Sequence, residues 1–225
     1  MLDPRLQAVA DFVPITANAA DIGTDHAFLA IALFQANNKR KIIAADLNSG
    51  PCEAARRAVR LAGFHGLIDI RQGDGLSVLR PGEVEAVCIA GMGGKLEADI
   101  IAAGPQVVSK LKYMVLQPQN GQEYLRQWLY AHAWHIEEER LVKADGRLYQ
   151  VIKAQPGFMP LPQEAELILG PCLVKEQPEY FHEYVSNTIS GWEKIADELA
   201  KAGERVTDKI NELNRRIKLL EEYLQ

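Results

Sequence analysis

The feature that most constrains this chain is an alternation of two periodicities over its first two thirds. Apolar runs rich in β-forming residues fall at Ala19–Ile22, Lys41–Leu47, Leu67–Gln72, Ala86–Ala90 and Tyr113–Gln117. Helix-like segments follow them near 26–36, 50–62, 94–102 and 121–132. Strand and helix in strict alternation dictate a parallel sheet, because each parallel connection needs a crossover long enough to hold a helix. The run Ala86-Val87-Cys88-Ile89-Ala90 is apolar throughout, as a strand buried on both faces must be. Two further strands, about 134–142 and 147–154, flank Asp145-Gly146, a hairpin signal. The expected fold is α/β: a mostly parallel seven-stranded sheet that ends in an antiparallel pair. Ahead of it, residues 3–12 predict a short helix, with Asp3 as cap, Pro4 in the first position and Leu6, Val9 and Ala10 on one face.

The pattern stops near residue 155. Pro156, Gly157, Pro160 and Pro162 mark a linker. Beyond it Phe181, Val185, Thr188, Trp192, Ile195 and Leu199 form one heptad seam, and Val206, Ile210, Leu213, Ile217, Leu220 and Leu224 form another. An antiparallel helical hairpin fits, with Gly203 ending its first helix. The expected domains are 1–155, and a coiled-coil-like hairpin over 156–225. Residues 1–155 hold 17 basic and 17 acidic side chains, whereas 156–225 hold 8 and 13, so the tail carries the whole net charge of −5. Neither part is the basic body of a tight nucleic-acid binder. Local patches at Lys39-Arg40-Lys41, at Arg56, Arg57 and Arg60, or at Arg215 and Arg216 would have to meet phosphates. No stretch approaches membrane-spanning length and no signal peptide is expected at the N-terminus. The three cysteines, Cys52, Cys88 and Cys172, are too scattered for a disulfide framework or zinc site, so a cytoplasmic protein without a metal is expected.

Five consecutive strand ends carry unusual residues. The first is Asp21-Ile22-Gly23-Thr24-Asp25-His26, where a doubly wound sheet places a nucleotide-like ligand. It lacks the G-x-G-x-x-G that receives a pyrophosphate, and its two carboxylates repel phosphate but suit a ligand bearing an ammonium and a sulfonium. Asp25 has an equally good reading as the cap of the next helix. Asp46, 23 residues past Gly23, stands where an acid accepts from ribose hydroxyls. Gln72-Gly73-Asp74-Gly75 puts an acid between glycines, where it can accept from an adenine amino group, although a tight turn explains it too. Ala90-Gly91-Met92-Gly93-Gly94 reads as a bare backbone wall, and Gln117-Pro118-Gln119-Asn120 closes the series. Of the histidines, only His26 is placed to matter.

The strings Ala20-Asp21-Ile22-Gly23-Thr24-Asp25-His26-Ala27-Phe28-Leu29, Gln72–Leu76, Ile89–Gly94 and Leu116-Gln117-Pro118 resemble, in order, motifs of the bacterial tRNA (adenine-N1)-methyltransferases that modify adenine 22. Gly170-Pro171 and Glu176 resemble the start of that family's tail, so the likeness spans the chain. The resemblance implies a Rossmann-like class I methyltransferase domain with a C-terminal coiled-coil domain, S-adenosylmethionine as donor and tRNA as partner. It carries donor binding onto Asp21, Gly23, His26, Asp46, Leu47, Gly73, Asp74, Gly75, Ala90, Gly91, Met92, Gly93 and Gly94. Some family members have Glu where Asp46 stands. Asp25 and Gln117 are placed near the acceptor as the catalytic candidates. A monomer is favoured. The competing readings are a methyltransferase acting on a small molecule or protein, and a non-catalytic scaffold. A nicotinamide-dependent dehydrogenase fits least, because the phosphate loop is wrong.

Overall fold

A computed structural model describes residues 2–201 and 207–224. The chain forms two compact units, Met1–Leu161 and Pro162–Gln225, which part within the proline-rich segment.

In the first unit seven strands form one sheet: β1 (Ala19–Ile22), β2 (Ile42–Asp46), β3 (Ile68–Gln72), β4 (Ala86–Gly93), β5 (Tyr113–Asn120), β6 (Trp134–Ala144) and β7 (Arg147–Pro156). Their order is β3-β2-β1-β4-β5-β7-β6. The first five run parallel, and β7 pairs antiparallel with both β5 and β6. Ile22 faces Ala45 on one side and Ile89 on the other, so the winding reverses between β1 and β4. Their carboxyl ends splay apart at such a reversal and leave a crevice.

Helices α1 (Pro4–Phe12), α2 (Phe28–Ala36), α3 (Ser49–Leu61), α4 (Gly94–Ala102), α5 (Pro105–Val108) and α6 (Gln122–Ala131) accompany the sheet. The cap foreseen for α1 forms, with the Asp3 carboxylate accepting from Arg5 N at 2.7 Å. α3 buries Cys52, Ala55 and Val59, one stripe of an otherwise polar helix. α5 and a 3₁₀ turn at Gly75–Val78 have no periodicity to announce them, being single turns.

Two expectations change. β4 and β5 each run three residues past the predicted ends, because Met92 pairs with Pro118 and Gly93 with Asn120 across a bulge that starts after Ala90. The Lys39-Arg40-Lys41 patch dissolves: Arg40 is buried, and its guanidinium donates to the Leu33 and Pro14 carbonyls at 3.0 and 3.1 Å. Lys41 meets Glu83 at 2.5 Å, whereas Arg56, Arg57 and Arg60 stay exposed on α3. Two buried acids differ sharply in their company. Glu139 is paired to Arg126 at 2.8 Å, both fully buried, whereas neither carboxyl oxygen of Glu97 on α4 has a hydrogen-bond partner among the described residues. Burial therefore holds the Glu97 carboxyl well above the usual carboxylate range.

The second unit holds α7 (Glu164–Leu169), α8 (Pro171–Glu176), α9 (Phe181–Lys201) and α10 (Thr207–Glu221). α7 starts in a capping box, with Gln163 N donating to Glu166 at 2.8 Å. α9 buries Phe181 and Val185 as the seam requires, then Ile189 and Ala196 in place of Thr188 and Ile195. The stripe has turned by one residue, as a straight helix does against a 3.5-residue repeat. α10 buries Ile217 and Leu220 from its seam, while Gly203 and Val206 lie outside the described residues. Arg216 stands 5.5 Å over Trp192, bringing α9 and α10 side by side. Arg215 and Arg216 both pair with Glu164, at 2.6 and 2.9 Å. They brace the unit rather than present a free basic patch. Among the described residues no helix is long and apolar enough to cross a membrane.

Candidate active site

The crevice between β1 and β4 is built from the loops that follow them. Gly23 N and Thr24 N both donate to the Ala45 carbonyl, at 2.8 and 3.0 Å, which ties the first loop to the end of β2. Gly73 N donates to the Asp46 carbonyl at 3.0 Å and ties β2 to the third loop in the same way. Asn48 N donates to the Asp46 carboxylate at 2.7 Å and fixes its orientation.

Two cavities result, and they share Gly23. One, of about 250 Å³, is lined by Asp46, Leu47, Asn48, Gly73, Asp74, Gly75 and Met92, with Ile22, Ala45, Leu96 and Ile100 behind them. The other, of about 290 Å³, is lined by Asp21, Thr24, Asp25, His26 and Ala90, together with Asp3, Arg5, Leu6, Phe28 and Leu29. Gly23 has φ +81°, and a Cβ there would lie 2.0 Å from Met92 Cε. The Met92 methyl packs where a side chain would stand, so only a bare backbone fits at the point where the cavities meet. Each end carries an acid: Asp46 in the first cavity, Asp21 in the second.

Asp21 is buried, and burial raises its pKa to about 6, against the lowering effect of the Thr24 hydroxyl and with a further push from nearby Asp46. An acid whose ionisation burial opposes gains most from a nearby cation. Asp25 is not the helix cap. That position belongs to Ala27, whose N donates to Thr24 Oγ1 at 3.1 Å. The Asp25 side chain is 79% exposed at the cavity mouth, 3.5 Å from His26 Nε2.

Most of the predicted set is thus brought together, and four members are not. Gly93 and Gly94 do not line either cavity: a Cβ on Gly93 would meet Asn120 Oδ1 at 3.0 Å, and one on Gly94 would meet the Gly121 carbonyl at 2.5 Å. They let β4 and α4 approach the turn after β5, which corrects the reading of the whole glycine string as a bare wall. Gly91, at φ +83°, faces the Arg5 guanidinium. Gln117 is fully buried, its carboxamide oxygen accepting from Arg5 at 2.6 Å and its nitrogen donating to the Pro118 carbonyl at 3.2 Å. Gln117 holds Arg5, and it is Arg5 that lines the cavity. Sequence reasoning missed Arg5 because no local pattern links it to a glutamine 112 positions away.

The comparisons with known proteins agree on one family. The model of the tRNA (adenine(22)-N(1))-methyltransferase family matches residues 19–222. The chain is 34% identical to the tRNA (adenine(22)-N(1))-methyltransferase of Bacillus subtilis over 230 residues, covering 99% of this chain and 97% of the relative. The crystal structure of the B. subtilis m1A22 tRNA methyltransferase TrmK superposes with a TM-score of 0.89, at 34% identity, covering 100% of this chain and 99% of that one. TrmK of M. capricolum, in complex with the cofactor product S-adenosyl-homocysteine, gives a TM-score of 0.84 at 28% identity, covering 100% and 98%. With a family model spanning most of its length and a relative matched end to end, the chain belongs to the tRNA (adenine(22)-N(1))-methyltransferase family.

Proposed function

We propose that the protein transfers a methyl group from S-adenosylmethionine to N1 of adenine 22 in tRNA. The observation that carries this reading is the pair of cavities that share Gly23 in their lining, with an acid in each. A linear ligand with a nucleoside at one end and an ammonium at the other matches that layout, its middle passing the bare Gly23 backbone and the flexible Met92 methyl beside it. In this reading Asp46 accepts from the ribose hydroxyls, Asp74 from the adenine amino group, and Leu47 and Met92 cover the base, with Gly73 and Gly75 keeping the wall thin. Asp21 receives the ammonium, and His26 and Ala90 surround that end, with Gly91 behind Arg5. The bound donor supplies an activated methyl group on a sulfonium centre.

The remaining work is positioning. N1 of adenine is a neutral nucleophile, so the site needs alignment rather than a strong base, and alignment can be worth up to ~7–11 kcal/mol. Methylation leaves the adenine ring cationic. Asp25, exposed at the cavity mouth, is placed to stabilise that charge as it develops. The target base sits in a folded tRNA and must be extruded to reach the cleft. The overall acidity of the chain places the phosphate contacts on local groups, of which Arg56, Arg57 and Arg60 are exposed. The reading includes a monomeric, cytoplasmic enzyme, which the absence of a spanning helix among the described residues accommodates.

The test is transfer of a labelled methyl group to unmodified tRNA, with nucleosides identified by mass spectrometry. 1-Methyladenosine is expected in tRNA with adenine at position 22 and not in the same tRNA with guanine there. Donor binding without methylation of any tRNA would overturn the acceptor half. Equal methylation of both tRNAs would overturn the position.

A further inference from the structure

Phe28 is out of place for a residue of its type. It opens α2, yet its relative exposure is 54%, while Leu29 and Ala30 beside it are buried. Its ring is stacked with that of His26, centroids 5.3 Å apart and planes 22° from parallel, and half of the His26 side chain is exposed too. The backbone is bent to produce this. Ala27, between the two rings, has φ 55°, a conformation a non-glycine residue adopts only under constraint, and the Thr24 hydroxyl holds it there. The bend tucks the Ala27 methyl into the core. It also brings two aromatic rings to the cavity that holds Asp21 and Asp25.

We propose that Phe28 is the platform on which the extruded adenine stacks, adding a third ring to the pair with His26. This rests on the tRNA methyltransferase reading above and deepens it by naming an acceptor-side residue. A flat base offers both of its faces to aromatic partners once it leaves the helix, and stacking is the interaction that a protein can offer it without regard to the flanking sequence. Asp25 alongside suits the base as well: it can accept from its exocyclic amino group and favour the positive ring formed on methylation. Stacking would also remove from water the aromatic surface that Phe28 now exposes.

The test separates ring from bulk. Phe28→Tyr and Phe28→Trp keep a planar face, Phe28→Leu keeps apolar volume without one, and Phe28→Ala keeps neither. Methyl transfer is measured against tRNA concentration at saturating donor, donor affinity by calorimetry, and folding by thermal melt. The expected result is a fall of about 10- to 100-fold in kcat/KM for tRNA in the Leu and Ala variants, the range of one lost base–aromatic stack. Tyr and Trp should stay within about threefold of the parent protein, and donor affinity should hold in all four. Full activity in Phe28→Leu would overturn the proposal, since apolar bulk would then suffice. A loss of donor affinity in step with activity would also overturn it and assign Phe28 to the donor. A parent protein that methylates no tRNA would instead refute the functional reading itself, and this inference would fall with it.

Discussion

A carboxyl group as buried as that of Asp21 resists ionisation until a cation arrives, and this gives the cleft a pH signature. Its pKa of about 6 means that a bound ammonium must draw off a proton at lower pH. Binding that requires the carboxylate therefore strengthens as pH rises toward 6 and levels off above it. Donor affinity by calorimetry should be about tenfold weaker at pH 5 than at pH 7.5, with proton release on binding at the lower pH. Asp21→Asn should bind weakly and without this slope; an unchanged slope in that variant would assign the titration elsewhere. At this scale much of the site was legible. Asp21, Gly23 and Asp46 all line the crevice, where strand ends and a fixed spacing lead one to expect them. Arg5 and the burial of Gln117 were not legible, since their meeting depends on α1 folding across the sheet, a contact without any local periodicity. Asp25 was ambiguous between cap and site, and only the Thr24–Ala27 hydrogen bond resolves it.

Between elements, a tight backbone junction near the cleft is where the starts of α4 and α6 converge. A Cβ on Gly94 would lie 2.5 Å from the Gly121 carbonyl and 3.0 Å from that of Asn120, backbone atoms that cannot swing aside. Gly94→Ala should cost about 1–3 kcal/mol, the usual penalty for overpacking, and lower the melting temperature by several degrees. α4 also carries Leu96 and Ile100 into the nucleoside cavity, so donor affinity should fall with stability. Gly191→Ala is the contrasting change: it lies within α9 with nothing inside 4 Å of the new Cβ, and should raise the melting temperature slightly by improving helix propensity. If both variants melt alike, close packing at Gly94 is not what holds the junction. The long elements were legible because each repeats its period several times. The short ones, α5, α7 and α8, have too few residues to show a period, and the extra length of β4 and β5 comes from pairing across glycines that read as a loop.

For the whole molecule, the two compact units carry buried and paired acids of opposite character. The first unit holds Asp21 and Glu97, both raised by burial above their ordinary values. A raised acid keeps its proton in the folded state after the unfolded chain has lost it, so stability falls as pH climbs from the unfolded value near 4 toward the folded one. The other acids shifted in that unit, Glu83, Glu85 and Glu137, are lowered and change stability only below about pH 4.5. Between pH 5 and 7.5 the raised pair therefore dominates, and this unit should melt at a higher temperature at pH 5. In the second unit Glu164 is lowered by hydrogen bonds from Arg215 and Arg216, and Glu212 by Arg215. Their contribution is complete above about pH 4.5 and lost as pH falls further, so this unit should be level from pH 7.5 to 5 and weaken only below that. Calorimetry across this range should resolve one transition that rises on mild acidification and one that does not. Glu97→Leu should raise the first transition at pH 7.5 and reduce its pH dependence, because it removes a buried acid with no hydrogen-bond partner among the described residues. Glu164→Gln should lower only the second and leave donor affinity as it was. Should a single transition move as one in every variant, the two units fold cooperatively despite their separate cores, and the acid in α4 would then set the stability of the tail as well.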